Sequence, residues 1–226
     1  LARGPSRTPT RLTDALRART TRRSTTRSRP CFVPGLTAYI VAIVSVLLTS
    51  LTLAREFEQG SMQQLFATPV ARFEIIVGKL LPYLALGGVV VLMVLTAGSW
   101  VFEVPIRGGI AALILASFLF LMGMLAQGLL ISIVARSQMV ATQMATMTSM
   151  LPSLLLSGFM FPIENMPLPL RVISNIVPAR YYIHALRGIL LRGNGLTEIA
   201  PDLLALAIFA FVVLGLGTAR FPRTLA

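Results

Sequence analysis

The chain has 226 residues, of which 55% are hydrophobic and 12% charged, with a mean hydropathy of +0.80. A soluble domain of this length carries about 25% charged residues, so a water-exposed globular protein is excluded and the long apolar runs point to a membrane. The net charge of +12 does not signal a nucleic-acid binder: nine of the twenty Lys and Arg residues fall in the first thirty positions, and the remaining eleven basic and seven acidic side chains leave a surplus of four.

Residues 1–31 combine Thr, Ser, Pro and nine Arg with no apolar period, and only Asp14 opposes the positive charge. Such a composition cannot build a core. The expectation is a disordered basic tail that is not native, of the kind a shifted reading frame in GC-rich DNA would produce. No signal-peptide pattern is visible, because no apolar run of the right length follows the basic start within thirty residues. Leu1 in place of Met suggests a fragment or a processed start. Cys31 stands alone, so the sequence offers neither an internal disulfide nor a Cys-based metal site.

Five apolar stretches follow, from about Phe32 to Leu53, Leu80 to Phe102, Gly109 to Val134, Met139 to Phe161 and Leu203 to Ala219. Crossing a hydrocarbon core takes about twenty residues as a helix. Backbone polar groups inside lipid must be satisfied within the segment, so these stretches are helices and not lone strands. The predicted fold class is therefore all-α, a polytopic membrane protein with five visible transmembrane helices. Trp100, near a span end, reads as an interfacial anchor.

The connections differ in kind. Residues 103–108 and 135–138 are tight turns that force neighbouring spans antiparallel. Residues 162–201 are divided into short pieces by Pro162, Pro167, Pro169 and Pro178. Counting Lys and Arg on the two sides gives six against five without the tail, so charge alone does not orient the chain.

The loop 54–79 carries helix punctuation. Gly60 breaks the helix leaving the first span, and Ser61 with Gln64 has capping-box spacing. Met62, Leu65 and Phe66 fall on one side of the short helix this starts. Thr68 followed by Pro69 is a second helix-start signal. A short amphipathic helix tied to two spans can dock in a groove of a cytosolic partner or lie in the lipid interface, and the residues alone do not choose. In the later segment, Arg180, His184 and Arg187 share one helical face opposite Tyr182, Ile183, Leu186, Ile189 and Leu190. An interfacial helix with its polar side in water is favoured there over a substrate or lipid headgroup contact. Pro152 and Ser157-Gly158 interrupt the fourth span, and close packing through small residues is favoured over a hinge. Met139, Met144, Met147 and Met150 are read as packing rather than as an adaptable cargo surface.

Two stretches resemble a known family. The loop reads LAREFEQGSMQQLFATPVARFEIIVGKLLPY, with Glu56, Glu58, Gly60, Leu65, Thr68, Pro69, Gly78 and Lys79 at the patterned positions. The later segment reads SGFMFPIENMPLPLRVISNIVPARYYIHALRGILLRG. Together they resemble the ABC type-2 transporter permeases of the multidrug or general exporter branch, from near Phe32 onward. The resemblance implies a transmembrane domain over 32–226. It implies a cytoplasmic coupling loop, 54–79, whose Glu56, Glu58, Gly60, Ser61, Met62, Leu65, Phe66, Thr68 and Pro69 serve coupling to the ATPase. It also implies short re-entrant helices in 162–201 on the outer side, carrying Pro162, Pro178, Arg180, His184 and Arg187. Members have six spans, with a large extracytoplasmic domain between the first two, so the chain is expected to be N-terminally truncated.

No GxxxxGK[ST] phosphate loop is present, so energy must come from elsewhere. His184 is the only His, which removes most support for a His-based metal site or a Ser-His triad. The expectation is a transport subunit without catalytic or metal residues and with no cofactor of its own, ATP and Mg being bound by a partner. The partners implied are a cytosolic ABC ATPase, a second permease copy or a homologous permease, and membrane lipid, with no nucleic acid. The place implied is the cytoplasmic (inner) membrane, crossed several times. An intramembrane enzyme is the alternative, but it needs paired polar groups within the spans. An anionic-lipid binder acting through the basic tail is another.

Overall fold

The computed structural model of the chain describes residues 10–59, 72–102, 108–158 and 167–220, with side chains from Val33 onward. Its long helices are α1 (Thr10–Glu58), α2 (Arg72–Phe102), α3 (Ile110–Ala135) and the last helix α7 (Leu196–Arg220). Helix α4 starts at Gln138–Ala145 and runs on through two π-helical turns, Thr146–Met150 and Pro152–Leu156. Two short helices follow, α5 (Leu168–Ser174) and α6 (Pro178–Arg187), the latter prolonged by a π turn over Gly188–Arg192. No strand occurs among the described residues.

Five segments are long and apolar enough to cross a membrane: Val33–Glu58, Ile76–Trp100, Ile110–Ala135, Gln138–Leu156 and Leu196–Arg220. These are the five expected spans. One boundary moved because Leu196, Thr197 and Glu198 open the last helix more than a turn before Leu203, and an acidic residue in the first turn suits the helix dipole. The fourth span is also shorter than expected. It ends at Leu156 with Gly158 left-handed at φ 78°, a conformation glycine adopts without penalty. Ser157-Gly158 therefore terminates this span and does not interrupt it.

Residues 10–31 call for a correction. They were expected to be disordered, and α1 instead begins at Thr10. A helix already nucleated in an apolar span extends at one hydrogen bond per residue, and extension costs far less than a new nucleus.

Lipid tails are as apolar as leucine, so helix association here rests on close packing and polar contacts. Helix α3 is the centre of the bundle, with 61% of its central stretch buried, against 17% for α2 and 22% for α4. Gly128 lets α1 approach α3 closely: a Cβ there would stand 2.9 Å from both Thr49 Cβ and the Val46 carbonyl oxygen. Helix α4 packs on α1 along its buried small residues Ala141, Ala145, Ser149 and Ser153, spaced four apart. Small residues do pack closely in this span, but at these positions and not at Pro152 and Gly158, which are only partly buried. The methionine reading is corrected within this chain, since Met139, Met147 and Met150 are 82%, 57% and 38% exposed.

Helices α5 and α6 form a hairpin at the end opposite the 60–71 connection, α6 entering the bundle while α5 lies exposed beside the end of the fourth span. Tyr182 meets Ser117, seven residues into α3, a depth of about 10 Å at 1.5 Å per residue. Further along, Ile189 lies against Gly108, just before α3. The segment therefore dips in and comes back out. Pro167 and Pro178 open the two short helices, as the proline punctuation predicted, while Pro162 lies outside the described residues.

Candidate functional site

Polar side chains gather at the two ends of the bundle. At the loop end, α1 finishes on an acidic stretch. Glu56 forms an ion pair with Lys79 of α2. Glu58 reaches the start of α4, accepting the backbone N–H of Gln138 at 2.8 Å and its side-chain Nε2 at 2.7 Å. Ser137 occupies the cap position of α4 but makes no side-chain cap bond, so the α4 amide is capped by a carboxylate from another helix. Between α3 and α4 the chain reverses over Arg136 and Ser137, with Arg136 left-handed at φ 52° and its N–H bonded to Ser132.

Of the residues expected to serve coupling, the structure places Glu56 and Glu58 on partners within the chain. Gly60, Ser61, Met62, Leu65, Phe66, Thr68 and Pro69 lie outside the described residues. Gln138 escaped the sequence reading because it stands eighty residues from Glu58. The available signal was an acid at the end of a span together with a serine-glutamine pair opening the next apolar run.

At the other end, the amphipathic division of α6 is as read from the sequence. Tyr182, Ile183, Leu186, Ile189 and Leu190 are buried, and His184 is exposed. The polar face, while open to water at His184, also carries partners. Arg180 donates to Ser174 Oγ at 2.7 Å and Asn175 Oδ1 at 2.5 Å, bracing the turn from α5. His184 Nδ1 lies 2.6 Å from Asp202 Oδ2 of α7. Arg187 Nη2 makes a long, 3.4 Å contact to the Gly158 carbonyl at the end of the fourth span. On the buried side the Tyr182 hydroxyl and Ser117 Oγ are 2.9 Å apart, and the Tyr182 ring stacks on Phe120 with centroids 4.2 Å apart. Asp202 was missed by sequence reasoning. As the acid at the threshold of the last apolar run it had a readable signal, but its partner is set by the return of the hairpin.

One cavity of ≈ 400 Å³ lies between α2 and α3, lined by Gly88, Leu92, Leu95, Ile114 and Phe118 among others. Beside it the helices pass closely, a Cβ at Gly87 standing 2.8 Å from Leu121 Cδ2. The cavity lining is apolar, with Thr96, Ser99 and Ser117 as the hydroxyl-bearing residues. Thr96 and Ser99 bond to carbonyls of their own helix, as such residues do inside membranes. This wall carries no chemistry beyond apolar contact.

The arrangement is thus a bundle with side-chain polar contacts between helices at its two ends and, between them, a largely apolar interior with buried hydroxyls and one Gln127 Nε2 to Thr148 carbonyl contact at 3.3 Å. Comparison with known proteins gives it a family. The pattern described as ABC-2 family transporter protein matches residues 9–219. That match includes most of the segment before Phe32, which the sequence reading had left outside the resemblance. The "Probable multidrug ABC transporter permease YbhS" of Escherichia coli (strain K12) is 37% identical over 198 residues, covering 88% of this chain and 52% of the relative. "Probable multidrug ABC transporter permease YbhR" of the same organism is 31% identical over 191 residues, covering 84% and 52%. "ABC transporter G family member 20" of Dictyostelium discoideum is 32% identical over 163 residues, covering 72% of this chain and 22% of the relative. The chain spans about half the length of the two bacterial relatives. With a family match across nearly its whole length and five spans in a helical bundle, this multi-pass membrane protein belongs to the ABC-2 transporter family.

Proposed function

We propose that the chain is the membrane-spanning permease part of an ATP-driven exporter in the cytoplasmic (inner) membrane, working with a separate ABC ATPase subunit and a second permease. The family match supports the class. The observation that carries the mechanism is the placement of the 60–71 connection between α1 and α2, with Glu56 and Glu58 securing the neighbouring span ends to α1. A connection so anchored transmits displacement into the spans and does not dissipate it. On this reading the loop end faces the cytosol, and the α5–α6 hairpin faces outward. The names of the bacterial relatives favour chemically varied cargo.

Helix α4 supports a second permease as partner. Its mean hydropathy is 1.2, against 2.2 to 2.4 for the other spans, and only 22% of its central stretch is buried. Gln143 and Thr148 lie on the exposed side with Met147. Side chains of this kind suit a protein or water-lined surface better than hydrocarbon.

The test uses Leu65 and Phe66. Burying one such side chain in a partner's groove contributes roughly 1.5 to 3 kcal/mol, and a buried unpaired carboxylate adds a further cost. Leu65→Asp with Phe66→Asp, in a version co-expressed with its ATPase, is expected to insert normally while losing partner capture in a pull-down and stimulated ATP hydrolysis in lipid. Normal capture with normal hydrolysis would refute the coupling role and place the 61–68 segment in the lipid interface.

A further inference from the structure

The geometry points to Glu58 as a positioning residue that carries movement of the 60–71 connection into the fourth span, and this rests on the reading above that the connection meets the ATPase. Three observations converge on it. First, Glu58 is the last residue of α1, where a negative charge opposes the dipole of its own helix. The position makes sense if the charge serves another helix. Second, it does so: the carboxylate accepts both the backbone N–H and the side-chain Nε2 of Gln138, at 2.8 and 2.7 Å. An ionised carboxylate only accepts, so both Gln138 groups are donors here. The N–H is one of the orphan donors of the α4 N-terminus, left without a side-chain cap by Ser137. A charged acceptor at that point is the stronger kind of bond and is matched to the positive end of the helix. Third, Glu58 supplies the side-chain polar contacts that tie the start of α4 to α1, beside the packing of Gln138–Ala145 on α1 and α3. Helix α4 is the least apolar span and meets α1 along a stripe of small side chains, Ala141, Ala145, Ser149 and Ser153. Such a stripe allows close approach but also allows sliding, since small side chains do not interlock deeply.

The fork on Gln138 removes that freedom where α1 leaves for the connection. Displacement of the α1 terminus then moves the start of α4 with it. The Glu56–Lys79 pair plays the corresponding part between α1 and α2, so both ends of the 60–71 connection are referred to one helix. Above the fork lie the two π turns of α4, Thr146–Met150 and Pro152–Leu156. Such turns interrupt the regular i→i−4 ladder and are frequent at functional sites, and Met147 lies in the first of them.

The experiment places a nitroxide at Met147→Cys in a Cys31→Ser background, in vesicles with the ATPase bound, and records the spin-label spectrum with and without vanadate-trapped ATP. The unaltered clamp should give a nucleotide-dependent spectral change. Glu58→Ala is expected to leave ATPase capture in a pull-down unchanged and to abolish that change. Glu58→Gln should restore most of it, because an amide oxygen still accepts the Gln138 N–H and the Gln138 amide can turn its oxygen to the new NH₂. Should Glu58→Ala insert poorly, the same comparison is made with Gln138→Ala, which keeps the backbone bond and should weaken the response without abolishing it. A full nucleotide response in Glu58→Ala with capture intact would overturn the proposal. Loss of ATPase capture in Glu58→Ala would also overturn it, by making Glu58 a docking residue. Absence of both capture and response in the unaltered clamp would instead sink the underlying assignment of the connection to the ATPase.

Discussion

Tyr182 shows how much one side chain can hold in a bundle without a hydrophobic driving force. It is fully enclosed, its ring stacked on Phe120 and its hydroxyl against Ser117. The two contributions separate by substitution. Hydrogen bonds between membrane helices average about 0.6 kcal/mol, and Ser117 can turn to a carbonyl of its own helix when its partner is gone. Tyr182→Phe should therefore cost under about 1 kcal/mol, whereas Tyr182→Ala, which leaves a cavity beneath the hairpin, should cost about 3 to 5 kcal/mol. Reversible unfolding in mixed micelles measures both, and equal losses would mean that the hydroxyl and not the ring anchors α6. Glycines supply a second contrast at this scale. A methyl at Gly128 would press on backbone of α1 at 2.9 Å, while Gly88 has nothing within 4 Å of the corresponding position. Gly128→Ala is expected to destabilise by about 1 to 3 kcal/mol. Gly88→Ala should be neutral or gain up to about 1 kcal/mol from helix propensity. The same unfolding assay reads the pair, and similar effects at the two sites would contradict the close crossing of α1 and α3.

Among the elements, α4 is the one whose two faces make different demands. Its small residues lie on α1, and Met139, Gln143, Met147 and Thr148 face away from the chain. With a second permease against this face, Met147→Cys in a Cys31→Ser background should cross-link two copies under mild oxidation in native membranes, while a cysteine at Leu125, fully buried in α3, should not. Monomer alone from Met139→Cys, Met147→Cys and Met150→Cys would assign the face to a different occupant. The elements also divide by how legible they were. The spans and the turn at 135–138 were open to reading because hydropathy and length act locally, and the hairpin was marked by its prolines, while the turn expected at 103–108 lies mostly outside the described residues. The division of α6 into apolar and polar faces followed from period alone. The contacts of its polar face did not, because Asp202 and Gly158 arrive there only through the tertiary path of the chain. Gln138 as partner of Glu58 was hidden for the same reason. The helix over residues 10–31 was missed for a different one. Composition speaks to whether a segment can nucleate structure, and says less about whether a neighbouring span extends into it.

At the scale of the whole molecule, the order of crossings fixes which parts share a side. Five antiparallel spans put the end of α1 at Glu58, the turn at Arg136 and the end of α7 at Arg220 on one face, and the α5–α6 hairpin with the start of α3 on the other. Among the described residues from Val33 on, five basic residues lie with the loop and four with the hairpin, while seven arginines between residues 11 and 29 sit at the start of α1 on the hairpin side, so charge does not place the loop in the cytosol. The asymmetry that does distinguish the faces is chemical. The loop side holds side chains that connect helix ends, Glu56 to Lys79 and Glu58 to Gln138. The hairpin side holds apolar residues exposed at interfacial depth, with Leu168, Val172 and Ile176 all more than 60% exposed, a pattern suited to lipid and headgroup contact. On the proposed reading of an exporter driven from the cytosol, the connected helix ends belong on the ATP-bearing side, which would put the loop face there. Single cysteines at Gln64, Arg171 and Thr224, each in the Cys31→Ser background, test the assignment with a membrane-impermeant maleimide. In intact cells Arg171→Cys should label while Gln64→Cys and Thr224→Cys stay protected, and in inverted vesicles the pattern should reverse. Labelling of Gln64→Cys and Thr224→Cys from outside would turn the whole bundle over and remove the coupling role of the connection. Labelling of Gln64→Cys and Thr224→Cys from opposite sides would break the count of five crossings itself.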